Sequence, residues 1–205
     1  MRGAPYQGIL SALLVWIGLT LNGCACGCLH PQPLRGLHAN TEPVGDVKLL
    51  DVPFFPDRSD QCGPSVLASV LSFWDHSIDP SALKKEIYLA HLKGSLPMDL
   101  LLSAQNHGLK AHLYNGSIDD LIAEIKLGHP LIAFINRGFD SFPIDHYVVI
   151  TGYDSARQGL TIHSGSKKNQ FITYKSFLKS WNKTERLTLL ILPPDRDKES
   201  LHAEK

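Results

Sequence analysis

The chain has 205 residues, 43% of them hydrophobic, and its 20 Lys+Arg are balanced by 20 Asp+Glu. That is enough for one ordinary globular domain with a sizeable apolar core. The lack of a basic excess argues against a nucleic-acid partner, and the lack of an acidic run argues against a solvating tail.

Arg2 precedes the apolar run ILSALLVWIGLTL at 9–21, which is shorter than the ~20 residues that span a bilayer and reads as an export signal. The following LNGC (21–24) resembles the lipobox of bacterial lipoproteins, with Leu21 at its third position before the cysteine and Gly23 just before Cys24. The resemblance implies a signal peptide over 1–23, acylation of Cys24 and a lipid-anchored mature protein. Ala25 stands where an inner-membrane lipoprotein would carry Asp, which implies the outer membrane, facing the periplasm. Cys24, Cys26 and Cys28 alternate in CACGC, but three ligands in five residues, with no matching His or Cys pair nearby, make an incomplete metal site. No metal and no other cofactor is expected. Residues 24–45 are rich in Pro, Gly and polar side chains and are expected to be a tether.

A folded domain is expected over 46–195. VKLLDVPFF (47–55) has strand character, and Val66, Val70 and Trp74 with Leu67 and Leu71 have helical spacing. Further helices are expected around 81–92 and over 98–107, the second closed by Gly108. Another starts at Ser117, with Asp120 at its third position, and is ended by Gly128 and Pro130. The second half reads as strands at 131–137, 146–154, 159–165, 170–175 and 187–194, with a short helix at 176–181. Helices first and a mostly antiparallel sheet second make an α+β domain. The tail, 196–205, is polar and expected to be loose. No internal repeat is visible.

Cys62 is the chain's one cysteine beyond CACGC. It could be a small buried hydrophobe, or a disulfide partner of Cys26 or Cys28. Its position favours a third reading. Pro64 suits a first helical turn, which places Cys62 at a helix N-terminus, where the dipole favours a thiolate and backbone N–H groups can hold an oxyanion. The expected base is His146, at the mouth of the strand HYVVITGY, able to take the thiol proton and return it to a leaving amine.

VPFFPDRSDQCGPSVLASVL followed by DHYVVITGYD resembles the papain-fold cysteine peptidases related to the double-glycine, bacteriocin-processing leader peptidases, and among them the stand-alone bacterial lipoproteins. The resemblance covers roughly 47–194. It implies a papain-like fold, Cys62 as nucleophile, His146 as general base and a peptide or protein substrate. The chain departs from the family twice. Asp57 and Pro56 occupy the positions where the family keeps an oxyanion-binding glutamine, and an ionised Asp cannot donate a hydrogen bond. Gln61 is the candidate substitute. The family's orienting Asp is missing as well. Asp154, roughly 26 Å along the strand from His146 at ~3.3 Å per residue, is too far. A hairpin turning near SARQG would bring back Ser164 to Asn169. The resemblance points to Ser164, and Asn169 is the chemical alternative. The expected function is therefore a lipid-anchored cysteine peptidase, the alternative being a weak or inactive peptidase-fold module that binds a peptide or protein at the envelope.

Overall fold

The computed structural model describes residues 45–57, 61–139 and 141–194. The expected signal peptide, Cys24, all but the last residue of the tether and the polar tail lie outside them. In chain order the elements are β1 (Val47–Leu49), α1 (Cys62–Phe73), α2 (Pro80–Ile87), α3 (Pro97–Asn106), β2 (Lys110–Asn115), α4 (Ile118–Leu127), β3 (Leu131–Asn136), β4 (Asp145–Asp154), β5 (Gly159–Ser164), β6 (Lys167–Thr173), α5 (Tyr174–Trp181) and β7 (Leu187–Leu192). The strands form one sheet in the order β2-β7-β3-β4-β5-β6, with β1 alongside β4. Every pairing is antiparallel.

This is the expected α+β class, but the helices are divided between the two faces of the sheet. On one face Val66, Leu67, Val70 and Leu71 of α1, Leu83 of α2 and Leu100 of α3 pack with Ile132, Tyr147, Val149 and Leu189. On the other, Leu121 and Ile125 of α4 and Phe177 and Trp181 of α5 pack with Leu131, Ala133, Val148 and Ile150. A sheet buried on both faces explains why β4 is buried at eight of its ten positions rather than at alternate ones. The helix α1 behaves likewise: Gly63 to Leu71 are all buried, so it is a central helix rather than one with a single apolar stripe.

The structure differs from the expectation in three places. A strand, β2, lies between α3 and α4. Its sequence KAHLYN carries a period-two signal, with Ala111 and Leu113 turned toward the α1 side, but it is short and polar in composition. The helix expected over 81–92 ends at Ile87. Tyr88 turns extended (φ −89°, ψ 123°), and Leu89 then bridges Gly94, so 88–96 becomes a loop. Of the strand expected over 47–55 only Val47–Leu49 joins a ladder, held against the sheet where Gly152 leaves room. A Cβ there would lie 2.4 Å from the Lys48 carbonyl oxygen. The chain beyond it is tied down by Leu50 N–H donating to Thr151 O at 2.8 Å and Asp57 N–H donating to Gly165 O at 3.0 Å.

By contrast α4 forms as its sequence dictates. Ser117 and Asp120 complete a reciprocal capping box, and Gly128 closes the helix at φ 92°, a left-handed conformation open to glycine at little cost.

Candidate active site

Cys62 is the first residue of α1. The Ser65 N–H reaches back to Gln61 O at 3.0 Å, closing the first turn behind the sulfur. Gly63 follows because the 88–96 loop presses on the helix start. A Cβ on Gly63 would lie 2.9 Å from both Cβ and Oγ of Ser95. Tyr147 fastens the same loop, its hydroxyl donating to Ser95 O at 2.9 Å.

His146 is the second residue of β4, opposite Ile135, and only 3% exposed. Its Nε2 lies 3.2 Å from Ser164 Oγ, which leaves Nδ1 as the second ring nitrogen. The Cys62 sulfur, a His146 ring nitrogen and an Asp57 carboxylate oxygen all lie within 4.8 Å of one another. Thus a helix start, a strand mouth and the end of an extended segment converge at one point.

The remaining candidates are placed as follows. The β4–β5 hairpin pairs Asp154 with Gly159 and carries Ser164 back to His146, as the turn signal implied. Asp154 stays at the turn, where its carboxylate accepts from Arg157 N–H at 2.9 Å. Asn169 goes elsewhere: its backbone N–H donates to Nδ1 of a different histidine, His163, at 3.2 Å, and its side chain is exposed. The Gln61 backbone N–H donates to Asp57 Oδ1 at 3.0 Å, while Gln61 is not among the residues that line the groove over Cys62.

That groove measures about 460 Å³ and is lined by Cys62 and His146 together with the Leu92–Pro97 segment and with Arg137, Pro143 and Ile144. Its lining mixes apolar Leu92, Leu96, Phe134 and Ile144 with charged Lys93, Arg137 and Asp145. Arg137, Ser95 and Tyr147 were not legible as site residues. Tyr147 adjoins His146 in sequence, but the other two enter through loops.

Burial governs the electrostatics. Desolvation raises the Cys62 thiol pKa, and the nearby Asp57 charge raises it further. The Tyr147 and Gly63 backbone N–H groups and Arg137 pull the other way without reversing the shift. Desolvation, helped by Arg137, pushes His146 down to about 4. At rest the pair is therefore a neutral thiol beside a neutral imidazole, and the thiolate expected from the helix dipole is overridden by desolvation.

The sequence profile of the Peptidase_C39 like family matches residues 49–189, most of the chain. No curated protein matches the chain. Among solved structures, the double glycine motif protease from an AMS/PCAT transporter, in complex with its leader peptide, is 22% identical at a TM-score of 0.59, over 72% of this chain and 95% of that one. The peptidase domain of Streptococcus ComA, a bi-functional ABC transporter of a quorum-sensing pathway, is 21% identical at a TM-score of 0.58, over 72% and 98% of the two chains. A C39-like protein from Bacillus anthracis gives a TM-score of 0.59 at 19% identity, over 73% and 98%. The antiparallel sheet flanked by helices is the architecture these structures share. By its profile match the chain belongs to the Peptidase_C39 like family, cysteine-type peptidases of papain-like fold.

Proposed function

We propose that this chain is an exported, lipid-anchored peptidase that cleaves peptide bonds through a Cys62 thioester. The observation that carries the reading is the convergence of Cys62 at a helix start with His146 at a strand mouth, on the floor of a groove. A neutral resting pair fits general-base attack. As Sγ bonds to the carbonyl carbon, His146 Nδ1 takes the thiol proton, and Nε2–H donates to Ser164. The tetrahedral intermediate collapses to the thioester while the imidazolium protonates the leaving amine. Water, deprotonated by the same nitrogen, then releases the acid. The leader peptide bound to the transporter protease supports a peptide as the substrate class here. The lipobox at Cys24 and the tether read from the sequence support a location at the outer membrane, facing the periplasm.

The second reading, a weak or inactive module that binds a peptide, is favoured by Asp57. Its carboxylate stands beside the sulfur where the family keeps an oxyanion donor, and one such donor is worth ~10²–10³ in rate.

Alkylation of the purified chain by iodoacetamide, in chelator and across pH, separates the two. On the peptidase reading, the Cys62 rate titrates at an alkaline midpoint above the ordinary thiol range, since its pKa is raised. Asp57→Gln brings the midpoint down by removing a like charge, and labelling by a peptidyl acyloxymethyl ketone rises. Failure of that probe to label either protein while both remain folded would leave the binding module.

A further inference from the structure

We propose that Asp57, Cys62 and His146 together form a three-ligand zinc site whose occupancy switches the peptidase off. The inhibitory half rests on the peptidase reading above, whereas metal binding does not.

The donor set is a carboxylate, a thiolate and an imidazole, each an ordinary zinc ligand, with a fourth position left for water or a peptide carbonyl entering from the groove. A tetrahedral zinc with bonds of about 2.0–2.3 Å holds its ligand atoms ~3.3–3.7 Å apart. Here the donor atoms already lie within 4.8 Å of one another, so closure asks any pair to approach by at most about 1.5 Å, which side-chain rotation can supply. Two supports orient the donors. Gln61 N–H holds Asp57 Oδ1 at 3.0 Å, and Ser164 Oγ lies 3.2 Å from His146 Nε2, leaving Nδ1 as the nitrogen for the metal. Outer partners of this kind fix a ligating imidazole and its tautomer.

Charge and softness narrow the ion. Aspartate and thiolate neutralise a divalent cation, with the thiol proton leaving to solvent, so the loaded centre carries no net charge. Arg137, which lines the same groove and whose charge reaches Cys62 and His146, opposes the cation but is outnumbered by the two anionic ligands. A thiolate and an imidazole disfavour Mg²⁺ and Ca²⁺, which take oxygen ligands, and favour zinc. Asp57 thus has a consequence beyond weakening the oxyanion site. With glutamine there, only the sulfur and the imidazole would be strong donors. Zinc on the sulfur occupies the electron pair that must attack the carbonyl, and zinc on the imidazole removes the base.

The test uses the full chain with Cys24, Cys26 and Cys28 changed to Ser, so that Cys62 is its sole thiol. Cobalt(II) should bind at one ion per chain with a thiolate-to-metal charge-transfer band, and zinc should displace it. Changes outside a metal's own ligands cost ~10–100-fold in affinity. Loss of a direct ligand in Asp57→Asn should therefore weaken zinc by at least about tenfold. Asp57→Gln serves if the Asn variant misfolds. In the chain whose sole thiol is Cys62, with Asp57 intact, zinc should protect Cys62 from iodoacetamide. Absence of the band, or equal zinc affinity in folded Asp57 variants, overturns the site. Zinc binding with no probe labelling even in chelator would retain the metal site and remove the peptidase. Labelling that zinc leaves unchanged would do the reverse.

Discussion

His146 and His163 are equally buried, at 3% exposure each, and sit near the same end of adjacent strands, yet their surroundings assign them opposite tasks. His163 has both ring nitrogens engaged. Nδ1 accepts from Asn169 N–H at 3.2 Å, which leaves Nε2 to donate to Val52 O at 3.1 Å, and Phe54 packs edge-on against the ring. It is a rivet that fixes the extended segment leading to Asp57. His146 has a side-chain partner at Nε2, and one of its ring nitrogens lies within 4.8 Å of the Cys62 sulfur. Burial alone therefore does not mark a functional histidine. What does is a buried ring with one nitrogen left for a reacting group.

The sharpest way to break this contrast is to delete each ring in turn. General acid–base catalysis contributes ~10²–10⁴, so His146→Ala should slow acyloxymethyl ketone labelling of Cys62 by that factor while unfolding cooperatively. His163→Ala should leave the labelling rate per folded molecule within about tenfold, but lose about 1–3 kcal/mol in urea melts, because Val52 O and Asn169 N–H are left without their partner. If the two variants lose labelling alike, both histidines are structural supports of the site.

A somewhat smaller effect should appear in acid. His146 is held near 4 in the fold and titrates near 6.5 in an unfolded chain. Above ~6.5 neither form is charged and the histidine contributes no slope. As pH falls below that value the unfolded chain takes up a proton that the fold refuses, so stability declines until about 4, by about 3 kcal/mol. His163, also lowered by burial, adds to the decline in the same direction. Urea melts of His146→Gln in chelator should show a shallower loss between those limits. An unchanged acid limb would mean that His146 is not held neutral.

Much of this was legible in the chain. Cys62 before Gly-Pro, the HYVVITGY strand and the SARQG turn were enough to bring Cys62, His146 and Ser164 together, because each depends on local geometry: a helix start, a strand end and a hairpin register. What escaped depends on contacts distant in sequence. The resting charge state of Cys62 is set by how deeply α1 sinks between the sheet and the 88–96 loop, and the loop's course follows from α2 ending at Ile87, where no Gly or Pro marks the stop. Asn169 looked suitable by type, but its backbone at φ 51° serves His163 instead. Asp57 was visible as a departure, though its closeness to both Cys62 and His146 follows from Asp57 N–H pairing with Gly165 O, which no sequence pattern announces.

The smallest effect tests the side-chain contact between His146 and Ser164. In the proposed mechanism Ser164 Oγ accepts from Nε2–H across their 3.2 Å contact, which leaves Nδ1 unprotonated for the thiol. A neutral bond of this kind is worth about 0.5–1.5 kcal/mol, so Ser164→Ala should slow probe labelling roughly 2–10-fold. Ser164→Asp supplies a carboxylate that pairs with the imidazolium, raising the His146 pKa from its depressed value and moving the acid limb of the labelling profile to higher pH. NMR titration of His146 separates orientation from mere packing. An upward shift in the Asp variant, with slower labelling in the Ala variant, supports the bond. An unmoved titration would place the control of His146 with the groove wall and Arg137.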